Sequence, residues 1–571
     1  MKGLSRRTFI KTGLAGAALV ACGALLPGAK WLLHPVGAAP GFQTTVERTI
    51  VPVPVPATSP KILPSKVARY EQYGYSAWRF TEGLGYEKRL DLMPPAYDGK
   101  AAKKTAKLLR FFTISDIHIS DKESPAQAIF YGYKGGVSSG YSPVMLYTTH
   151  VLDAAIQTVN AIHKKNPLDF GISLGDTCNS TQYNEVRWYI DVLDGGVIAP
   201  SSGKHAGADT IDYQKPYKAA GLDKTIPWYQ TLGNHDHFWM GFMPPNDYIR
   251  QSLVGENIVN LGNLFVDPRG LESRGFYMGA IDGSTPYGDI IGAGPEKDFP
   301  TPPKVAAADP NRRSLSKKEW MSEFLKTSSK PVGHGFSQAN VDKDFACYSF
   351  EPKADLPLKV IVLDDTQRQD ESNNPPSLGY GHGSIDEERY VWLVRELEKG
   401  QAEGKLMIIA AHIPIGVESG DSMMAWSKDA YVSEGEFFAK LHEYPNLIAW
   451  IVGHRHINTV TAFASPDPAR PELGFWQVET ASLRDFPQQF RTFEIVRNSD
   501  DTVSIFVTNV DPTAEDGSPA AISRSYAVGA QQIFNNEMPF PPSGSYNAEL
   551  VKKLSPEMQA KIKNCGTLIH E

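Results

Sequence analysis

From residue 108 onward, short apolar runs recur along the chain, and each stops on a residue that binds cations. Residues 108–114 lead into Ser115-Asp116, 170–174 into Gly175-Asp176, and 226–232 into Gly233-Asn234-His235. Residues 358–363 lead into Asp364, 406–411 into His412, and 447–452 into Gly453-His454. Runs this short and this rich in β-branched residues predict buried strands. Helical spacing fills the gaps at 149–164, 386–398 and 434–442, with Asp386 placed to cap the second of these. Strands alternating with helices predict an α/β fold, in which ligands gather at the carboxyl ends of the strands. Residues 491–496 and 502–508, separated by Arg-Asn-Ser-Asp-Asp, predict a closing hairpin.

Five pieces stand at those strand ends, in order: Asp116-Ile-His118, Gly175-Asp176, Gly233-Asn234-His235-Asp236, His412 and Gly453-His454-Arg455-His456. An Asp-x-His is expected about once by chance in a chain of this composition, and a Gly-His-x-His on the order of 0.03 times. The ordered set is therefore not accidental. Carboxylates, an amide carbonyl and neutral imidazoles suit Mn, Fe or Zn, and the ligand set needs no cysteine. A carboxylate can bridge two such ions, which can then clamp a phosphoryl group and acidify a water molecule.

The five motifs together resemble the calcineurin-like metallophosphoesterase superfamily over about residues 108–510. The resemblance implies a four-layer αββα sandwich with long insertions and two divalent or trivalent transition-metal ions. It assigns Asp116, His118, Asp176 and His456 to one ion, and Asp176, Asn234, His412 and His454 to the other. His235 is then the catalytic group beside the metals, acting on the leaving-group oxygen or the phosphoryl charge, and Asp236 orients it. The implied activity is hydrolysis of a phosphate mono- or diester by metal-bound hydroxide. The resemblance runs to an exported bacterial branch rather than to purple acid phosphatases. A non-catalytic metal-binding module and a nuclease are the alternatives.

The other polar residues near these motifs read as supporting structure. Arg455 is placed for phosphate or for a salt bridge, His237 for an outer contact, and His382 for a pocket wall or a glycine-rich loop. Asp364 and Asp365 are expected to be structural and opposite the site. Cys178 is expected to pack, while Cys347 and Cys565 are available to pair in an oxidising compartment.

The amino terminus reads as an address. Ser5-Arg6-Arg7-Thr8-Phe9-Ile10-Lys11 precedes an apolar stretch rich in Gly and Ala and broken by Pro27 and Lys30. This pattern resembles a twin-arginine export signal rather than a permanent membrane span. Cleavage after Ala38 and lipidation at Cys22 are both readable. Cleavage after Ala38 removes Lys2, Arg6, Arg7, Lys11 and Lys30, taking the formal charge from −7 to −12. An acidic chain of this kind predicts a small phosphoester as partner and no nucleic acid. The expected location is periplasmic or extracellular, with the twin-arginine machinery as the export partner. The expected layout is a signal over 1–38, a Pro-rich linker and arm over 39–107, and the metallophosphoesterase domain over 108–510. Within that domain 283–345 reads as an insertion or lid, and 511–571 reads as a loop-like extension ending in a short helix near 548–563.

Overall fold

The computed structural model describes residues 44–264, 275–371, 379–419, 422, 424–534 and 546–569. The export signal, Cys22 and the proposed cleavage site lie outside the described residues. The chain folds as a mixed α/β protein around two large sheets. One runs in the order Tyr86–Arg89, Asn547–Lys553, Thr502–Val510, Phe490–Asn498, Lys104–Ile114, Phe170–Ser173, Trp228–Gln230. The other runs Tyr348–Phe350, Leu358–Val362, Leu406–Ala410, Leu447–Val452, Phe475–Glu479, Thr459–Phe463.

Within each sheet the strands that lead to the motifs are parallel. Parallel neighbours need crossover connections, and helices supply them. Thr148–Lys165 joins the 104–114 and 170–173 strands, Tyr183–Asp194 lies before 228–230, and Glu387–Ala402 and Glu434–Leu441 serve the second sheet. The expected helices thus form within a few residues of the boundaries read from the sequence. Asp386 caps the 387–402 helix by accepting from the Arg389 N–H at 2.8 Å.

Side chains of a strand alternate between its two faces, and the second sheet shows it. Val360, Ile408 and Ile451 join a large apolar cluster with Ile172 and Val507 of the first sheet. Ile361, Ile409 and Trp450 instead pack with Leu393 and Leu397 of one helix and Phe437 and Leu441 of another. Across the first sheet, the Phe111 ring stacks on Phe170 and Phe493, its partners in register on either side, with centroids 4.7 and 4.6 Å apart. The 490–498 and 502–510 strands form the expected hairpin.

Several expectations are corrected. Residues 317–324 form a helix whose Trp320, Met321 and Phe324 are fully buried, Phe324 against Tyr189 and Trp228, so this part of 283–345 is core rather than lid. The 511–571 region is not loop-like. It holds the helix Pro519–Phe534 and the strand Asn547–Lys553, and its last helix starts at Pro556 rather than near Ala548. The strand sits inside the first sheet between 502–510 and 86–89. The Pro-Val stretch begins inside a strand, Arg48–Pro52, paired with Trp78–Glu82. Cys347 and Cys565 are free thiols, the first buried among the outer-face residues of the second sheet and the second against the cluster between the sheets. No helix among the described residues is long and apolar enough to cross a membrane.

Candidate metal centre

All seven residues expected to hold metal converge at the carboxyl ends of the parallel strands. Asp116 and His118 follow the 104–114 strand, Asp176 follows 170–173, and Asn234 follows 228–230. His412 follows 406–410, while His454 and His456 follow 447–452. Five of them, Asp116, His118, Asp176, His454 and His456, have φ between 46° and 71°. Left-handed backbone is uncommon for residues other than glycine and clusters at functional sites. Here it turns each chain sharply at the strand end, so that side chains separated by up to 340 positions meet.

Asp176 lies between two groups of donors. Its Oδ2 is 3.3 Å from His412 Nε2 and 3.7 Å from His118 Nε2. On the His118 side, His456 Nε2 lies 3.1 Å from His118 Nε2 and 3.4 Å from Asp116 Oδ1. On the other side, His412 Nε2 lies 3.0 Å from Asn234 Oδ1 and 3.2 Å from His454 Nδ1. Asp116–His118–His456, Asp176–His412–His454 and His118–Asp176–His235 each bring their donor atoms close enough to hold one ion.

The surrounding hydrogen bonds aim these atoms. His412 Nδ1–H donates to the Leu174 carbonyl at 2.7 Å, which leaves Nε2 as the lone-pair donor. Asn234 donates its amide N–H to the Gly241 carbonyl at 3.0 Å, which turns Oδ1 toward His412. Asp116 Oδ2 accepts from Ser115 Oγ–H and the His454 N–H, while its Oδ1, though buried, makes no hydrogen bond within the protein. Its nearest donor is His456 Nε2 at 3.4 Å, too long for a good hydrogen bond, and a cation would satisfy the buried oxygen better. The donor set and this under-satisfied oxygen fit bound metal.

Electrostatics follow the same division. Burial works against a charged imidazole at His412, but the Asp176 carboxylate outweighs it and pushes the group up to about 10. Burial likewise opposes charge on His456, and Asp116 with Asp485 overcomes it, again to about 10. His454 is buried beside His412 and is pushed down to about 3. Negative charge at the centre thus seeks positive charge, which is the electrostatic condition for cation binding.

His235 also arrives at the site, its ring edge-on to His118 with centroids 4.5 Å apart. Its Nδ1–H donates to the Asn179 carbonyl at 2.8 Å, and burial lowers its pKa despite Asp176 nearby. Asp236 does not orient it, contrary to expectation. The Asp236 carboxylate accepts from the N–H groups of Asp176, Thr177 and Gly233 at 2.8–3.0 Å and from Thr177 Oγ–H at 2.6 Å. A carboxylate surrounded by converging backbone N–H groups is better satisfied there than by one imidazole. Asp236 therefore fixes the backbone of Asp176, and Asn179 fixes His235.

Asp364 and Asp365 are structural but not remote. Asp365 accepts from the N–H groups of His412 and Ile413, anchoring that strand end. Asp364 pairs with Arg389 and Lys317 and accepts from Thr366 Oγ–H, the hydroxyl that contacts His237 Nε2. Arg455 is held in a fork by Glu479 and again by Glu418. His382 contacts the Ala425 carbonyl, and Gly381 rather than His382 reaches the cavity beside the centre. Cys178 is fully buried, as expected of a packing residue.

Two residues not read from the sequence hold the site. Asp485 ion-pairs with His456 Nδ1, turning Nε2 inward, and also accepts from Ser138 Oγ–H. Arg484, fully buried, donates to Ser120 Oγ and to the His118 and Ser138 carbonyls. Their signal is positional: both follow the buried strand Phe475–Glu479, the parallel neighbour of 447–452.

No protein-family profile and no curated protein matches this chain. Among solved structures, the chain is similar to a dimetal phosphatase from Danio rerio, with a TM-score of 0.36 and 10% identity over 71% of this chain and 100% of that one. It is also similar to GAP50, the anchor in the inner membrane complex of Plasmodium, with a TM-score of 0.27 and 11% identity over 74% of this chain and 95% of that one.

Proposed function

We propose that this chain is an exported, dinuclear metal-dependent phosphoesterase of the calcineurin-like kind, hydrolysing a phosphate mono- or diester, with its two sheets as the inner layers of an αββα sandwich. The observation that carries the reading is the convergence of six donor side chains on the two sides of a seventh, Asp176. Asp116, His118, Asp176 and His456 would hold one transition-metal ion, and Asp176, Asn234, His412 and His454 the other. When bound, such a pair supplies Lewis acidity, neutralising phosphoryl charge and lowering the pKa of water.

The remaining work belongs to the chain. Leu174, Gly241 and Asp485 hold the donors in their orientations, so little reorganisation is needed when substrate arrives. His235 lines the cavity beside the donors, and its ring can meet the departing oxygen or the phosphoryl charge. Elemental analysis of purified protein should find two ions per chain. After chelation, a panel of mono- and diesters assayed with Mn, Fe and Zn in turn should restore turnover. Protein with both sites filled that hydrolyses no ester would leave a metal-binding module instead.

Export belongs to the same proposal. The twin-arginine route carries folded proteins, so metals could be loaded in the cytoplasm. Replacing Arg6 and Arg7 by Lys should strand the precursor inside the cell, as fractionation and immunoblotting would show, and normal export of the double variant would remove this part of the reading.

A further inference from the structure

Beside the donor cluster lies a cavity of about 790 Å³, reaching Asp176, Asn234, His235, His454 and His456 at one end. Its volume falls within the range of small-molecule sites. Away from the donors, Ser138, Ser139, Asn458 and Gln531 add a smaller polar share to a wall otherwise made apolar by Trp239, Met240, Phe242, Ala527, Ala530 and Phe534. The last three come from one face of the helix Pro519–Phe534, at spacings of three and four residues. Small side chains at Ala527 and Ala530, both nearly buried, keep the lobe open.

The charged residues of the wall outside the donor cluster are already engaged. Arg455 is held by Glu479 and Glu418, and Asp485 by His456 and Ser138. Neither is left to pair with a charged sugar or base. Such a lobe gains chiefly by burying hydrocarbon.

We infer that the substrate is a phosphoester of an aliphatic alcohol, with its phosphoryl group at the donor cluster and its chain in the apolar lobe. This rests on the phosphoesterase reading and narrows it. In the hydrolysis, water oxygen bonds to phosphorus, the bond from phosphorus to the alkoxy oxygen breaks, and the alcohol leaves with the proton.

The test uses the purified full chain loaded with manganese and n-alkylphosphonates, whose carbon–phosphorus bond the reaction does not cleave. Titration calorimetry from ethyl- through butyl- to octylphosphonate should show affinity rising about fourfold per methylene while the chain is still entering the lobe. Ala530→Trp should flatten the series beyond butyl, and Phe534→Asp provides a second variant if the first does not fold. A flat series in the wild type, or adenosine 5′-phosphate binding more tightly than octylphosphonate, would overturn the inference. Octyl and ethyl phosphates assayed in parallel separate the two readings. Steep binding without hydrolysis of either ester keeps the lobe and removes the phosphoesterase. Hydrolysis of both at equal kcat/KM, with flat binding, does the reverse.

Discussion

At the residue scale, Asp176 lies between the two donor groups, 3.3 Å from His412 and 3.7 Å from His118, so on the proposed reading its charge should count twice. Asp176→Asn keeps the shape and removes the anion, and metal content should fall at both sites together. His118→Ala, by contrast, should cost mainly one ion. Elemental analysis distinguishes the cases, and full occupancy of either site in Asp176→Asn would contradict a bridge. His235 is anchored through Nδ1 to the Asn179 carbonyl and stands outside the two proposed ligand sets, so on that reading His235→Ala should retain both ions. Turnover should nevertheless fall by about 10²–10⁴, the usual range for losing a positioned proton-transfer group. Bound phosphoryl charge opposes the burial that lowers the His235 pKa, so that Nε2 can take up the proton to be donated. The fall should then be steepest for alkyl esters, whose leaving group needs that proton, and shallower for nitrophenyl esters. Equal losses on both would assign His235 to phosphoryl charge instead. The convergence of these seven side chains was legible because each stands at or just beyond the end of an apolar run, in a residue type that cations select. Asp485 and Arg484 were not, since the strand before them carries Trp476 and Gln477 and lacks the uniform β-branched signature. The role of Asp236 was misread for a different reason. Whether a carboxylate turns to the adjacent imidazole or to three backbone N–H groups depends on the shape of the turn, which residue types do not encode.

At the scale of elements, the site depends on how closely strand ends from the two sheets approach one another. Gly453 sits at that junction: a Cβ there would lie 1.8 Å from Ser115 Oγ and 2.4 Å from Asp116 Oδ2. Gly453→Ala should therefore force the 447–452 and 104–114 strand ends apart, costing about 1–3 kcal/mol and weakening metal binding through Asp116. Gly435 provides the comparison, because a Cβ there meets nothing within 4 Å and the residue lies in the helix Glu434–Leu441. Gly435→Ala should stabilise by roughly 0.5–1 kcal/mol, as helical glycines cost about that much relative to alanine. Thermal unfolding of both variants checks the contrast, and similar shifts would mean that the strand-end junction yields easily. The strands nearest the site were readable because each lies in a short, largely apolar run that leads into a polar motif. The 547–553 strand was not: Asn-Ala-Glu-Leu-Val-Lys-Lys carries two lysines and a glutamate, and only its neighbours in the sheet make it a strand.

At the scale of the molecule, the sequence carries the alternation of strands and helices but not which distant segment closes each sheet. The carboxy-terminal strand shows what that pairing entails. Lys552 lies on it, fully buried, and its Nζ donates to the carbonyls of Glu472 and Gly474, just ahead of the Phe475–Glu479 strand of the other sheet. The lysine thus ties the two sheets together through a charge removed from water. Burial lowers its pKa from 10.5 to about 7, with Glu472 opposing the shift only in part. Because the folded value lies below the unfolded one, the unfolded chain binds more protons between about pH 7 and pH 10.5. Stability from this group is therefore fully present above about pH 10.5 and is lost as pH falls through about 7, with a slope of at most about 1.4 kcal/mol per pH unit. Lys552→Met abolishes the titration while keeping most of the apolar stem. Urea midpoints of the two proteins, measured from pH 7 to pH 10, should diverge in favour of the wild type as pH rises, whatever constant offset the lost hydrogen bonds impose. Parallel profiles would mean that Lys552 keeps its proton in the folded chain across this window, and that the two carbonyls and Glu472 compensate fully for its burial.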